Sequence, residues 1–155
     1  MTEIKSHWDK PPSSREWEEG MPSHENIIYA CFGGLSNTGI TAALASLEVV
    51  KELGLDKVCI GCLAGVSTSV PQVLGKTKVA KKVITVDGCP RECSRMVIEQ
   101  AGFPIAKSIV LARDIGMKKV ALHTDIGKGL GVEKYISQED IRKAKDLIIK
   151  AIMEK

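Results

Sequence analysis

The sequence predicts an α/β fold of three layers, with helices on both faces of a mostly parallel open sheet. Three observations carry this. Short apolar runs of strand character alternate along the chain with longer segments of helical period. Turn residues such as Gly33-Gly34 and Asp87-Gly88 separate them. At 155 residues, with 44% hydrophobic and 26% charged residues, the chain suffices for one buried core and is not composed like a disordered polymer.

Residues 1–25 stand apart as an N-terminal arm. Pro11-Pro12-Ser13-Ser14 and Pro22-Ser23 interrupt any apolar period, yet both tryptophans, Trp8 and Trp17, lie here. Two exposed indoles gain nothing, so the arm is expected to dock on its own body or on a second copy, as a homodimer contact. Residues 26–155 make up a single domain. Its first strand covers 27–31 and leads into a glycine-rich turn, 33–39. A helix follows with Ile40, Ala43, Leu44, Leu47 and Val50 at helical spacing, closed by Gly54. The second strand spans about 57–62. Residues 68–80 begin irregularly and become helical after Pro71, a residue suited to a first helical position. A third strand at 82–86 turns at Asp87-Gly88 into a helix that opens at Cys89-Pro90 and runs to Ala101. Residues 108–112 fit a fourth strand, and 118–123 a fifth strand or an extended loop. The last helix starts at Ser137, in a Ser-x-x-Asp box with Asp140, and buries Ile141, Ala144, Ile148 and Ile152. Strand one is expected at the centre, giving an order beginning 2-1-3, the Rossmann-like or flavodoxin-like arrangement.

The net charge of +3 is weak, and acids interleave the basic C-terminal segment, so nucleic acid is not an expected partner. No apolar stretch approaches the roughly 20 residues that cross a bilayer, and the N-terminus lacks the apolar core of a signal peptide. A cytoplasmic location is expected, where thiols stay reduced. Five cysteines, an odd number, also argue against a full disulfide framework.

Four of those cysteines carry the functional expectation. Cys31 and Cys62 end a predicted strand and Cys89 falls just after one, so a parallel sheet delivers them to its carboxyl edge, where such sheets bind ligands. Cys93 lies four residues past Cys89. If the helix opens at Cys89-Pro90, both sulfurs share one face at the positive end of its dipole, which favours thiolate. Two small core residues would be the bland alternative, but Asp-Gly-Cys-Pro at a strand-to-helix turn is not core composition. Cys59 has Cys-x-x-Cys spacing to Cys62, but on a strand the two face opposite sides, so Cys59 is read as buried and apolar. Four thiolates suit a zinc ion, one per chain, with an iron–sulfur cluster as the lesser fit. Asp87, Gly88 and Arg91 are expected just behind the ligands. Backbone N–H groups around Gly33, Gly34, Ser36, Asn37 and Thr38 could converge on a small anion, although no Lys follows as in a nucleotide-binding loop. His7, His24 and His123 are read as solvated or structural, and 127–131 as a flexible glycine-rich loop.

At these residues the chain resembles the DGC-domain family, small prokaryotic proteins named for an Asp-Gly-Cys motif and described as zinc-binding. The resemblance runs from about residue 27 to 119. It covers Cys31 before its Gly/Ser turn, Cys62-Leu63-Ala64-Gly65, Val86-Asp87-Gly88-Cys89 with Cys93, and 110–119. The family's four motif cysteines carry over onto Cys31, Cys62, Cys89 and Cys93, leaving Cys59 outside. Phe32 stands where the family often has a small residue. The resemblance implies zinc binding and supplies no reaction. Two further readings stay open: a thiol enzyme using Cys89 or Cys93 for sulfur transfer or disulfide exchange, and a metal or redox sensor or scaffold.

Overall fold

The longer strands are near-continuous apolar runs, and the computed structural model, which describes residues 14–20, 22–34 and 36–155, sends their successive residues to opposite faces to build two cores. The strands are β1 (Asn26–Ala30), β2 (Val58–Ile60), β3 (Lys82–Asp87) and β4 (Lys107–Val110). They form one parallel sheet in the order β2-β1-β3-β4, with Ile27 opposite both Cys59 and Val83. The helices are α1 (Ser14–Glu18), α2 (Asn37–Leu53), α3 (Leu63–Ser67), α4 (Pro71–Val79), α5 (Cys93–Gln100), α6 (Leu111–Asp114) and α7 (Gln138–Met153). Ile28, Val58, Ile84, Val86 and Ile109 face α2 and α7, and meet Val49, Ile141 and Ile148 there. Ile27, Tyr29, Cys59 and Val83 point the other way, against Val66 and Ile98 of α3 and α5. This is the expected three-layer open sheet with strand one inside and strands two and three beside it.

Local signals set several boundaries. Pro71 opens α4, Gly54 closes α2 with φ 83°, and the Ser137 hydroxyl accepts the Asp140 N–H at 3.3 Å to cap α7. Elsewhere the structure departs from expectation. Residues 63–67 form a short helix, α3. The fourth strand stops at Val110 and passes directly into α6. Residues 118–123 are neither a strand of the sheet nor free, because Ala121 makes an isolated antiparallel bridge with Ser36. In α2 the sheet-facing line is made of Thr38, Thr41, Ala42, Ala45, Ser46 and Val49, while Leu47 is 47% exposed. Small side chains let the helix axis lie close to the sheet, and Ser46 returns its hydroxyl proton to the Ala42 carbonyl at 2.8 Å.

The free edge of β4 is closed by the chain that follows it. Asp114 accepts the Val110 N–H at 2.7 Å and Arg113 donates to the Ser108 carbonyl at 3.3 Å, satisfying groups that a further strand would otherwise take. Part of the predicted arm docks on the body: α1 lies against α4, with Glu18 paired to Lys78 at 2.9 Å. Trp8 and the Trp17 side chain, on which the tryptophan-burial expectation rests, fall outside the described residues, as does His7. No helix among the described residues is long and apolar enough to cross a membrane.

Candidate metal centre

The order β2-β1-β3 brings the chain past Cys62, Cys31 and Cys89 at neighbouring points on the carboxyl edge. Cys31 continues the ladder beyond β1, donating its N–H to the Val86 carbonyl at 2.9 Å. Its half-buried thiol is pushed above the ordinary range, first by burial and then by the charge of Asp87; a hydrogen bond from the Gly33 N–H opposes this, and Cys93 and Cys89 add to it. Asp87, Cys93 and Cys89 therefore all lie within electrostatic reach of Cys31.

The turn after Cys31 needs its glycines for two different reasons. Gly33 and Gly34 have φ of 68° and 54°, a left-handed backbone open to glycine. Gly33 also packs so closely on Gly39 that a Cβ would lie 2.5 Å from its Cα. Phe32, at 68% exposure, stands outward beside Cys31. Ser36, Asn37 and Thr38 are buried, and their side chains serve internal contacts: Ser36 and Thr38 share a hydrogen bond of 2.9 Å, and Asn37 binds residues 118 and 120. An anion in this turn would meet backbone N–H groups rather than these side chains.

Cys62 is exposed and caps α3, its sulfur accepting the Gly65 N–H at 3.3 Å. The preceding Gly61 is required by Tyr29, whose ring would lie 2.3 Å from a Cβ there. Cys59 is buried as expected, and burial raises its thiol to about 11.

The Asp-Gly-Cys segment differs most from the reading of the sequence. Gly88 does not take positive φ. It is needed because the turn seats on the first turn of α2, where a Cβ would be 2.4 Å from the Thr38 carbonyl carbon. The helix does not open at Cys89-Pro90: residues 89–92 form a turn, with the Glu92 N–H donating to the Cys89 carbonyl at 3.1 Å, and α5 begins at Cys93. Cys89 and Cys93 are thus not one turn apart on a helix face. Glu92, the residue before the helix, takes a left-handed φ of 49°, held through its carboxylate by Arg95 at 3.0 Å. Nor are the first N–H groups of α5 aimed at sulfur. The Asp87 carboxylate, 1% exposed, accepts those of Ser94 and Arg95 at 2.8 and 3.2 Å. Burial pushes the Asp87 carboxyl up, and the two N–H donors oppose it. Asp87 thus stands behind the cysteines as the anchor of α5, while Arg91 is exposed on the turn.

Sequence reasoning missed one neighbour of the sulfurs. Lys119 extends its ammonium to Cys89 Sγ at 3.6 Å, from a segment thirty residues downstream with no regular structure. His123 is exposed in a 3-10 turn, Leu122–Asp125, and in the glycine-rich loop Lys128 pairs with Asp125 at 2.6 Å.

The carboxyl edge of an open α/β sheet therefore carries cysteines on neighbouring turns, two of whose sulfurs, those of Cys62 and Cys89, accept hydrogen bonds. The chain belongs to the DGC-domain family, since residues 27–148 match the DGC domain. No curated protein and no solved structure matches it. Among the described residues no group of three or more His, Cys, Asp or Glu side chains is arranged to hold a metal ion. Thiols are the donor type that suits a thiophilic ion, but as placed these are not arranged about one, and the Asp87 carboxylate is occupied by backbone N–H groups.

Proposed function

We propose that this domain binds one zinc ion through the thiolates of Cys31, Cys62, Cys89 and Cys93. The observation that supports it is the donor supplied to each of two sulfurs: the Gly65 N–H to Cys62 at 3.3 Å and the Lys119 ammonium to Cys89 at 3.6 Å. A thiol has little use for such donors, whereas a coordinated thiolate carries charge that they stabilise. Zinc held by four thiolates would be a closed, structural or metal-handling centre; with one cysteine withdrawn it would offer an open Lewis-acid position. Binding requires the exposed Cys62 and Cys93 side chains to turn inward, since the described side chains are not gathered about one centre. Protein purified anaerobically, without added metal, is expected to carry close to one zinc per chain by elemental analysis. Serine at position 31, 62, 89 or 93 is expected to deplete it, and Cys59→Ser is not. Metal-free wild type that remains folded overturns the reading.

The contact between Lys119 and Cys89 also favours a second reading, a thiol enzyme with Cys89 as nucleophile. It predicts a metal-free protein in which Cys89→Ser alone abolishes thiol exchange with an aromatic disulfide.

A further inference from the structure

The solvent-facing charge beside Cys89 is positive. Arg91 and Lys119 are exposed, and among the described residues neither makes an ion pair. The acids nearest Cys89 along the chain are already engaged. The Asp87 carboxylate accepts the Ser94 and Arg95 N–H groups, and Glu92 pairs with Arg95 at 3.0 Å. Arg91 belongs to the turn that the bond from the Glu92 N–H to the Cys89 carbonyl closes. Lys119 extends its ammonium to Cys89 Sγ at 3.6 Å.

The Lys119 contact does not depend on a loose loop. Residues 116–120 have no regular structure, but Asn37, buried at the first position of α2, holds them on both sides of Lys119. Its side-chain amide donates to the Lys118 carbonyl at 3.0 Å, and its side-chain oxygen accepts the Val120 N–H at 2.7 Å. The bridge between Ser36 and Ala121 continues the contact. The backbone of residue 119 is thereby fixed beside the turn that bears Cys89.

We infer that Cys89 exchanges with small disulfides that carry carboxylates, and that Lys119, with Arg91, selects them by charge. The inference rests on the reading of Cys89 as a nucleophile and needs no metal. The Cys89 sulfur gives up its proton to solvent and attacks one sulfur of the substrate. The S–S bond of the substrate breaks, a mixed disulfide forms at Cys89, and the other half leaves as a thiolate with the electron pair of the broken bond. The substrate is thus the oxidant, and no other is required. Cys89 is half-buried, which suits a small disulfide better than one on the surface of a folded protein. Two cations beside the sulfur raise the local concentration of an anionic substrate and favour its negative leaving group.

The test uses the full-length chain, reduced, stripped of metal by a chelator and freed of reductant without air. An aromatic disulfide with two carboxylates and the cationic disulfide cystamine are each supplied below one equivalent, at low salt. Mass spectrometry follows the rate of labelling, and peptide mapping finds the labelled cysteine. The readout is the ratio of the dicarboxylate rate to the cystamine rate, because any general change in the reactivity of the sulfur cancels from it. Cys89 is expected to be the first residue labelled by the dicarboxylate. Lys119→Gln should lower the ratio by about 10-fold, the effect of a unit charge a few ångströms from the reacting group at a wet surface. Lys119→Glu should lower it further, Lys119→Arg should keep it, and Arg91→Gln should lower it less than Lys119→Gln does. High salt should compress the differences. Lys81→Gln removes the same charge from the opposite edge of the sheet and should leave the ratio unchanged. A ratio that Lys119→Gln leaves within about twofold of wild type, or that Lys81→Gln lowers as much, overturns selection by Lys119 while Cys89 stands as nucleophile. An unmoved ratio in Arg91→Gln removes Arg91 from the inference. A first label on any other cysteine of the wild type overturns the nucleophile reading, and this inference with it.

Discussion

Cys59 and Tyr29 show how one buried layer sets the alkaline limit of this fold. They pack in the same cluster beneath α3 and α5. Burial raises the Cys59 thiol to about 11 from 9.0, and the Tyr29 phenol to about 12 from 10.0, the latter despite its bond of 2.5 Å to the Thr77 hydroxyl. Below the unfolded value both states keep the proton and nothing is lost. Above it the unfolded chain ionises while the native one does not, so the unfolded state binds fewer protons and stability falls as pH rises. The Cys59 contribution is therefore lost between 9.0 and about 11, and the Tyr29 contribution between 10.0 and about 12. One fully engaged group changes stability by up to about 1.4 kcal/mol per pH unit. Urea midpoints from pH 8 to 10 are expected to fall more steeply for wild type than for Cys59→Val, which removes the first ionisation. Parallel curves would mean that this thiol reaches water. That Cys59 is buried was legible from strand alternation alone. That Lys119 meets Cys89 was not, because a lysine thirty residues away in irregular chain leaves no periodic signal.

Among the elements, those announced by local chemistry were legible: α7 from Ser137 and Asp140, α4 from Pro71, the end of α2 from Gly54. Where two signals competed, the sequence misled. Pro90 after Cys89 reads as a helix start, but the buried Asp87 carboxylate takes the N–H groups of Ser94 and Arg95, and this fixes the start at Cys93 instead. In α2 the larger apolar residues at helical spacing drew attention, while alanines and hydroxyl residues form the line that meets the sheet. That Cys31, Cys62 and Cys89 stand at neighbouring strand ends could be read from the strand order, but the reason for the glycines beside them could not. Gly88 is a contact between the Asp-Gly-Cys turn and α2, with backbone on both sides and no side chain able to yield. Gly88→Ala is therefore expected to cost about 1–3 kcal/mol, as overpacking does. It should also lower zinc content, since the displaced turn carries Cys89. A melting temperature and zinc content equal to wild type would show that the turn lifts away freely.

At the scale of the whole molecule the two ends of the sheet have separate duties. β3 runs from Lys82 to Asp87, so about 16 Å of strand divides the cysteine edge from the opposite one. The opposite edge is tied by charge. Glu25 pairs with Lys57 at 2.8 Å and Lys81 at 3.5 Å, and Glu18 of α1 with Lys78 at 2.9 Å. Lys82 joins the start of β3 to the end of α7, its ammonium donating to the carbonyls of Ala151 at 3.1 Å and Ile152 at 2.9 Å, and to that of Glu154. A cation at a helix C-terminus satisfies carbonyls that have no partner within the helix and opposes the negative end of its dipole. Lys82→Met keeps the aliphatic stem and removes the charge. It is expected to lower stability by about 0.3–1 kcal/mol, up to about 2 if the partial burial of the site counts fully. The loss should appear in urea denaturation and shrink in high salt. Because the contacts of Lys82 lie at the far end of β3 from the cysteines, the proposed zinc binding should keep wild-type stoichiometry and affinity. A Lys82→Met protein that loses zinc in proportion to its stability would show that the proposed metal site and the far edge unfold as one unit and do not have separate duties.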